Sequence, residues 1–180
     1  MTDLVGFQAV HLRLLFLERE DRLLLLAMDQ KGAQEGLVLT RRLTARLING
    51  LAKLLENSNV AASTAPEELK DDIVLMEHQG ALASTQAVPV SGDTTPQVQQ
   101  RGATLRVPQR LVETVNIKTN PRDFHIVLQA ESSVPVATVL NRLDLHRFVE
   151  LLKRQAVDAG WNLPIDAAWL GEDHPQITLN

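Results

Sequence analysis

The chain contains no cysteine and no tyrosine. Without a thiol there is no thiolate nucleophile, no iron–sulfur cluster, no zinc site built on sulfur and no disulfide framework. Aromatic residues are scarce, two Trp and four Phe. That is too few for the stacking platform on which single-stranded nucleic acids are held. The longest apolar run, Leu23 to Met28, is far below the roughly 18 to 20 residues needed to span a bilayer as a helix. The first residues, Met1 to Phe7, lack the basic segment and apolar stretch of a secretory leader, so a cytoplasmic location is expected. No sign of charge dominates: 18 Lys and Arg stand against 22 Asp and Glu, a net charge of -4. Neither half is the strongly basic domain that marks most nucleic-acid binders. Walker, Rossmann and nucleophile-elbow patterns are missing, and no two histidines have metal-ligand spacing. No catalytic residue, metal or cofactor is therefore assigned.

What is present is 180 residues, 44% of them apolar, enough to build a core without metal or disulfide. Leu12, Leu14 and Phe16 alternate with His11, Arg13 and Leu15, the period-two signature of a strand. A charged turn at Glu18 to Asp21 leads to a second strand over Leu23 to Met28, and Leu37 to Leu39 form a third. The period then changes. Leu43, Leu47, Ile48, Leu51, Leu54 and Leu55 recur at helical spacing from about residue 41 to 56. A second helix is expected from Pro66 to about Leu82, with Glu67 and Glu68 favourably placed in its first turn. Residues 84–100 are poor in charge and rich in Ser, Thr, Gln and Pro, and read as a linker. Beyond them, extended segments at Val112 to Ile117, Phe124 to Gln129 and Val134 to Leu140 precede helical spacing at Leu145, Phe148, Val149, Leu152 and Ala156. Gly160 is placed to cap that helix.

A shift of 101 residues lays the second half over the first. Thr40-Arg41 falls on Asn141-Arg142, and Arg46-Leu47-Ile48 falls on Arg147-Phe148-Val149. The expected fold is therefore α+β: two βββα meander-plus-helix repeats forming an antiparallel sheet with helices on one face. An extra connecting helix and an aromatic C-terminal extension complete it. The expected segments are 1–83 (first repeat and connecting helix), 84–100 (linker) and 101–180 (second repeat and extension). Two small domains split near residue 90 are the alternative. At the level of topology alone, such strand-strand-strand-helix units resemble some single-stranded nucleic-acid-binding folds.

Two sets of residues stand out. Arg41, Arg42, Arg46, Arg142 and Arg147 cluster where the two repeat helices begin. Arg in a first turn opposes the helix dipole, so something negative must compensate it. A bound anion or nucleic acid would do so, and so would carboxylates such as Glu18, Glu20 or Asp21. Trp161 and Trp169 sit in the extension, either packed on the core or docking on a partner. Glu172-Asp173-His174 reads as a polar turn. The expected function is a non-catalytic interaction module, self-associating or binding a protein partner, with an anion- or nucleic-acid-binding protein as the alternative and no membrane.

Overall fold

The computed structural model describes residues 6–84, 90–92 and 107–171. Strands β1 (Phe7–Ala9), β2 (His11–Leu17), β3 (Arg22–Met28) and β4 (Gln34–Leu39) lead into helix α1 (Arg41–Asn57), the short α2 (Val60–Thr64) and α3 (Glu67–Ala83). Then come β5 (Val90–Gly92), β6 (Gln109–Thr119), β7 (Asp123–Ala130), β8 (Val136–Asn141), α4 (Arg142–Asp158) and a 3-10 turn at Ala168–Leu170. The mixture of sheet and helix matches the α+β expectation. Three elements escaped the periodicity: β1, β5 and α2, each of five residues or fewer and too short to show a period. The expected linker lies outside the described residues except for Ser84 and Val90–Gly92, and the latter pairs in parallel with β2.

The strands form one sheet in the order β1-β8-β7-β6-β4-β3-β2-β5. Antiparallel hairpins join β2 to β3 and β3 to β4, and likewise β6 to β7 and β7 to β8. Two parallel pairings connect these meanders. One sets Gly36 of β4 opposite Gln109 of β6, and the other sets Ala137 of β8 opposite Gln8 of β1. At the first, the Gly36 amide donates to Pro108 O at 3.2 Å. A Cβ on Gly36 would lie 2.8 Å from that same oxygen, so the strands can approach only because this residue has none. Since β1 and β2 are separated by Val10 alone, yet β1 is the first strand of the order and β2 the last but one, the sheet must curl to bring these strands together.

Helices pack on one face. Leu12, Leu14, Leu23, Leu25, Phe124, Ile126 and Leu128 from the strands join Ile48, Leu51 and Leu55 of α1 and Leu145, Phe148, Val149 and Leu152 of α4 in one core. Each fully buried side chain of this size contributes roughly 1.5–3 kcal/mol. On the other face, Leu15, Leu24, Leu26 and Val38 form a smaller buried cluster. This explains why β3 reads as an unbroken apolar run: both of its faces are covered. Segments 1–83 and 101–180 thus contribute to one sheet and one core.

Both long helices that follow a meander start on a side-chain cap. Thr40 Oγ1 accepts from the Leu43 amide at 3.1 Å and Asn141 Oδ1 from the Asp144 amide at 2.9 Å. Asn141 caps α4, so Arg142 lies inside its first turn. At the other end Gly160 takes φ +70. There the Trp161 amide reaches Ala156 O and the Gly160 amide Val157 O, both at 2.8 Å, a Schellman closure. That turn sends the chain back over the helices. Trp161 and Trp169 end 3% and 1% exposed, so the expectation that they dock on a partner is corrected: both indoles belong to the core.

Candidate functional site

The five arginines do not converge. Arg41 donates to Asp21 Oδ2 at 2.9 Å, and its guanidinium lies 5.2 Å from the centre of the Trp161 ring. Asp21, in the left-handed conformation at φ 50, also accepts from the Trp161 indole at 2.5 Å. The indole hydrogen bond, opposed by desolvation and helped by Arg41, lowers the Asp21 carboxyl below its ordinary value. Arg42 and Arg46 are exposed, four residues apart on one face of α1.

Arg142 and Arg147 turn inward instead, which corrects their assignment to an anion-binding patch. Arg142 grips both oxygens of Glu77 through Nε and Nη2, and donates to Ser58 Oγ at 2.6 Å and to Leu55 O at 2.7 Å. Arg147, 8% exposed, donates to Ala81 O at 3.1 Å and to Ser84 O at 2.6 Å. Leu55 lies in the last turn of α1, Ala81 in the last turn of α3, and Ser84 is the C-cap of α3. Each guanidinium therefore sits at the carbonyl end of a neighbouring helix, where the dipole is negative and unpaired oxygens need donors. For Arg41 and Arg142 the negative group that a first-turn arginine demands is supplied by the protein itself, as Asp21 and Glu77.

Beneath Arg142 lies a buried polar cluster between α3 and α4. His78 Nδ1 and His146 Nδ1 are 3.2 Å apart. The outer nitrogen of each ring faces a carboxylate, His78 Nε2 at 3.3 Å from Glu150 and His146 Nε2 at 3.4 Å from Glu77. The second contact lacks hydrogen-bond alignment, and His146 Nε2 has no hydrogen-bond partner among the described residues. The Trp169 ring packs edge-on to both imidazoles, 5.1 Å from His78 and 5.9 Å from His146, and its Nε1 donates to Glu56 of α1 at 2.8 Å. Asn59, itself buried, donates to Glu77 Oε2 at 2.7 Å and caps α2.

Burial pushes His146 down to about 4, with His78 and Arg142 adding to the effect and Glu77 opposing it. Burial works against charge on Glu77 and Glu150 too, but Arg142 outweighs it for the first and His78 with Lys153 for the second, so both carboxyls stay below their ordinary value. Asp144 moves the other way, raised by burial in spite of Arg147. The cluster can hold or pass a proton. It offers a substrate little access, because the His146 and His78 side chains are 1% and 6% exposed.

Elsewhere, α4 and the segment after it enclose a cavity of about 470 Å³ lined by Lys153, Trp161, Asn162, Leu163, Ile165 and Leu170, among others. Among the described residues Lys153 is the single ionisable side chain on its wall, and these present no acid–base pair. The described residues contain no cluster of three His, Asp or Glu able to hold a metal, and no helix long and apolar enough to cross a membrane. Glu172-Asp173-His174 lies outside the described residues.

An exposed apolar surface lies on α3. Val74, His78 and Ala81 face inward, and on the opposite side Leu69, Ile73, Met76, Gly80 and Ala83 form a stripe at alternating spacings of four and three. Leu69 is 50% exposed and Met76 69%, while Ile73, at the edge of the stripe, is half-buried and packs against the main core. Sequence reasoning missed both faces of this helix. The inner polar face looks solvent-directed until α4 is laid on it, and the outer stripe blurs the amphipathic signal that would separate the two. One local cue existed: His146 and Glu150 lie four apart on α4, beside its apolar stripe. Compared with protein-family models, curated proteins and solved structures, the chain matches none.

Proposed function

We propose that the protein is a non-catalytic interaction module that self-associates through the outer face of α3, and that its two meander-plus-helix halves are copies of one unit. The observation that carries the first part is the stripe of Leu69, Ile73, Met76, Gly80 and Ala83. Its four-three spacing keeps one seam of a helix facing a partner helix, and small residues at 80 and 83 let the backbones approach. A second copy laid antiparallel is the favoured occupant. Glu67, Glu68, Asp71 and Asp72 are all exposed in the first half of α3, and the one carboxylate of its second half, Glu77, is held on the inner side by Arg142. A parallel pair would set these acidic clusters against each other, whereas an antiparallel one separates them and opposes the helix dipoles.

The duplication reading is supported by registers. A shift of 101 residues carries the Gly36–Gln109 pairing onto Ala137–Gln8 and the Leu23–Leu39 pairing onto Phe124–Leu140. It also carries the Thr40 cap onto Asn141, and α1 onto α4, both 17 residues long. The first hairpins depart from it: Leu17–Arg22 would map onto Lys118–Asp123, whereas Lys118 pairs with His125, and β6 has a further register shift between Val112 and Thr114.

Sedimentation or light scattering across micromolar to several hundred micromolar concentrations tests the module. A mass near twice 19.9 kDa is expected, falling to the monomer in Leu69→Glu or Met76→Glu, both at exposed positions where folding is spared. A wild-type chain that stays monomeric throughout would sink it. An anion- or nucleic-acid-binding surface is the second reading, favoured by the exposed Arg42 and Arg46. Oligonucleotide affinity that falls steeply with salt and is lost in Arg42→Glu would support it, since counterion release governs such binding.

A further inference from the structure

The imidazole pair between α3 and α4 is short of one proton. Glu150 accepts a hydrogen bond only if His78 carries its proton on Nε2, which leaves His78 Nδ1 a bare acceptor. The 3.2 Å contact then requires His146 to donate from Nδ1. A neutral His146 in that tautomer presents a lone pair, not a proton, to Glu77 Oε2, and this accounts for the Nε2 atom with no hydrogen-bond partner. Two neutral rings hold two protons, and the line from Glu150 through both imidazoles to Glu77 has three places for them. The third place stays empty because filling it puts a cation on a ring with 1% side-chain exposure.

We propose that this pair is an acid-sensitive latch: protonation of His146 favours a state in which α3 has lifted from α4 and the ring meets water. The titratable and charged groups facing the ring are His78 and Glu77 from α3 and Arg142 from α4. Glu150 lies behind His78, with Arg154 3.9 Å from its carboxylate. Glu56 of α1 lies beyond the Trp169 indole. Glu77 cannot neutralise the new charge without giving up part of its hold on Arg142, which spans Glu77 of α3 and the end of α1. Proton uptake therefore strains the contacts that hold α3 down, and both carboxylates, kept below their ordinary values, stay charged through the range in which this happens.

The inference concerns the inner face of α3 and does not depend on what its outer face binds. The measurement is amide hydrogen exchange of the full chain, kept dilute enough to be monomeric and corrected for the intrinsic pH dependence of exchange. A buried value near 4 against an ordinary 6.5 raises the opening constant of α3 by about thirty-fold between pH 7.5 and pH 5, while β7 should keep its protection. In His146→Gln the dependence should vanish. Because that variant could fail to fold, the His146 ring is also followed by NMR in the wild type and should stay neutral above pH 5. Protection of α3 that is flat with pH, loss shared equally by β7, dependence surviving in His146→Gln, or a ring titrating near 6.5 would each overturn the proposal.

Discussion

At the scale of single residues, the consequences follow from where charge has been taken out of water. His146 is neutral when folded and basic when unfolded, so the unfolded state binds the extra proton as pH falls below 6.5. The stability it supplies is complete above 6.5 and lost on the way down to about 4, in total about 3 kcal/mol. Urea melts at pH 7 and pH 4.5 should show this loss in the wild type and a smaller one in His146→Gln. Glu77 and Glu150 have depressed values and the opposite kind of window, their contribution fading only below their ordinary 4.5. Removing Arg142 leaves Glu77 without its main partner and takes a charged donor away from Leu55 O and Ser58 Oγ at the end of α1. Arg142→Ala should cost about 2–3 kcal/mol, whereas Arg42→Ala, at an exposed position, should stay within about 0.5 kcal/mol. Equal costs in the same denaturation series would show that the inward-turned guanidinium is not the structural one.

Among the elements, the caps and the packing of α3 decide most. Thr40 and Asn141 perform the same task at the starts of α1 and α4, and replacing either with Ala should lower stability by about 1 kcal/mol. The effect should be read as a shift in the urea midpoint without a change in slope. α3 shows why a helix can be located from its sequence while its role is not. Pro66, Glu67 and Glu68 mark its start whatever surrounds it, because they act through local backbone geometry and the dipole. That His78 is covered and Met76 exposed depends on α4 and the Trp169 turn arriving from more than sixty residues away in the chain. No local pattern contains that information.

For the whole molecule, the curled sheet makes the two parallel joins the points on which the shape depends. Gly36→Ala would drive a methyl group into Pro108 O across the β4–β6 join. The expected result is a loss of about 1–3 kcal/mol, seen as a lower Tm, with exchange at β4 and β6 rising before that of the β7–β8 hairpin. A Tm equal to wild type would mean that the join is not held as described. The same curling brings Trp161 onto Asp21 and Trp169 onto Glu56, contacts between the end of the described chain and its first half. Periodicity sees each strand but not which edges meet, so the expected three-strand units were legible while their closure through β1 and Val10 was not.

The order of strand, strand, strand and helix in each half, the ends of α1 and α4, and the exclusion of thiol chemistry were determined by the amino-acid sequence itself. Each depends on residue type and on spacing within a few neighbours. Tertiary structure alone decided the rest: that Arg142 and Arg147 seal helix ends inside the protein, that both tryptophans are buried, and that His78 meets His146. Those outcomes turn on desolvation and on partners distant in the chain. A charged or polar side chain has the same local pattern whether water or another helix finally covers it.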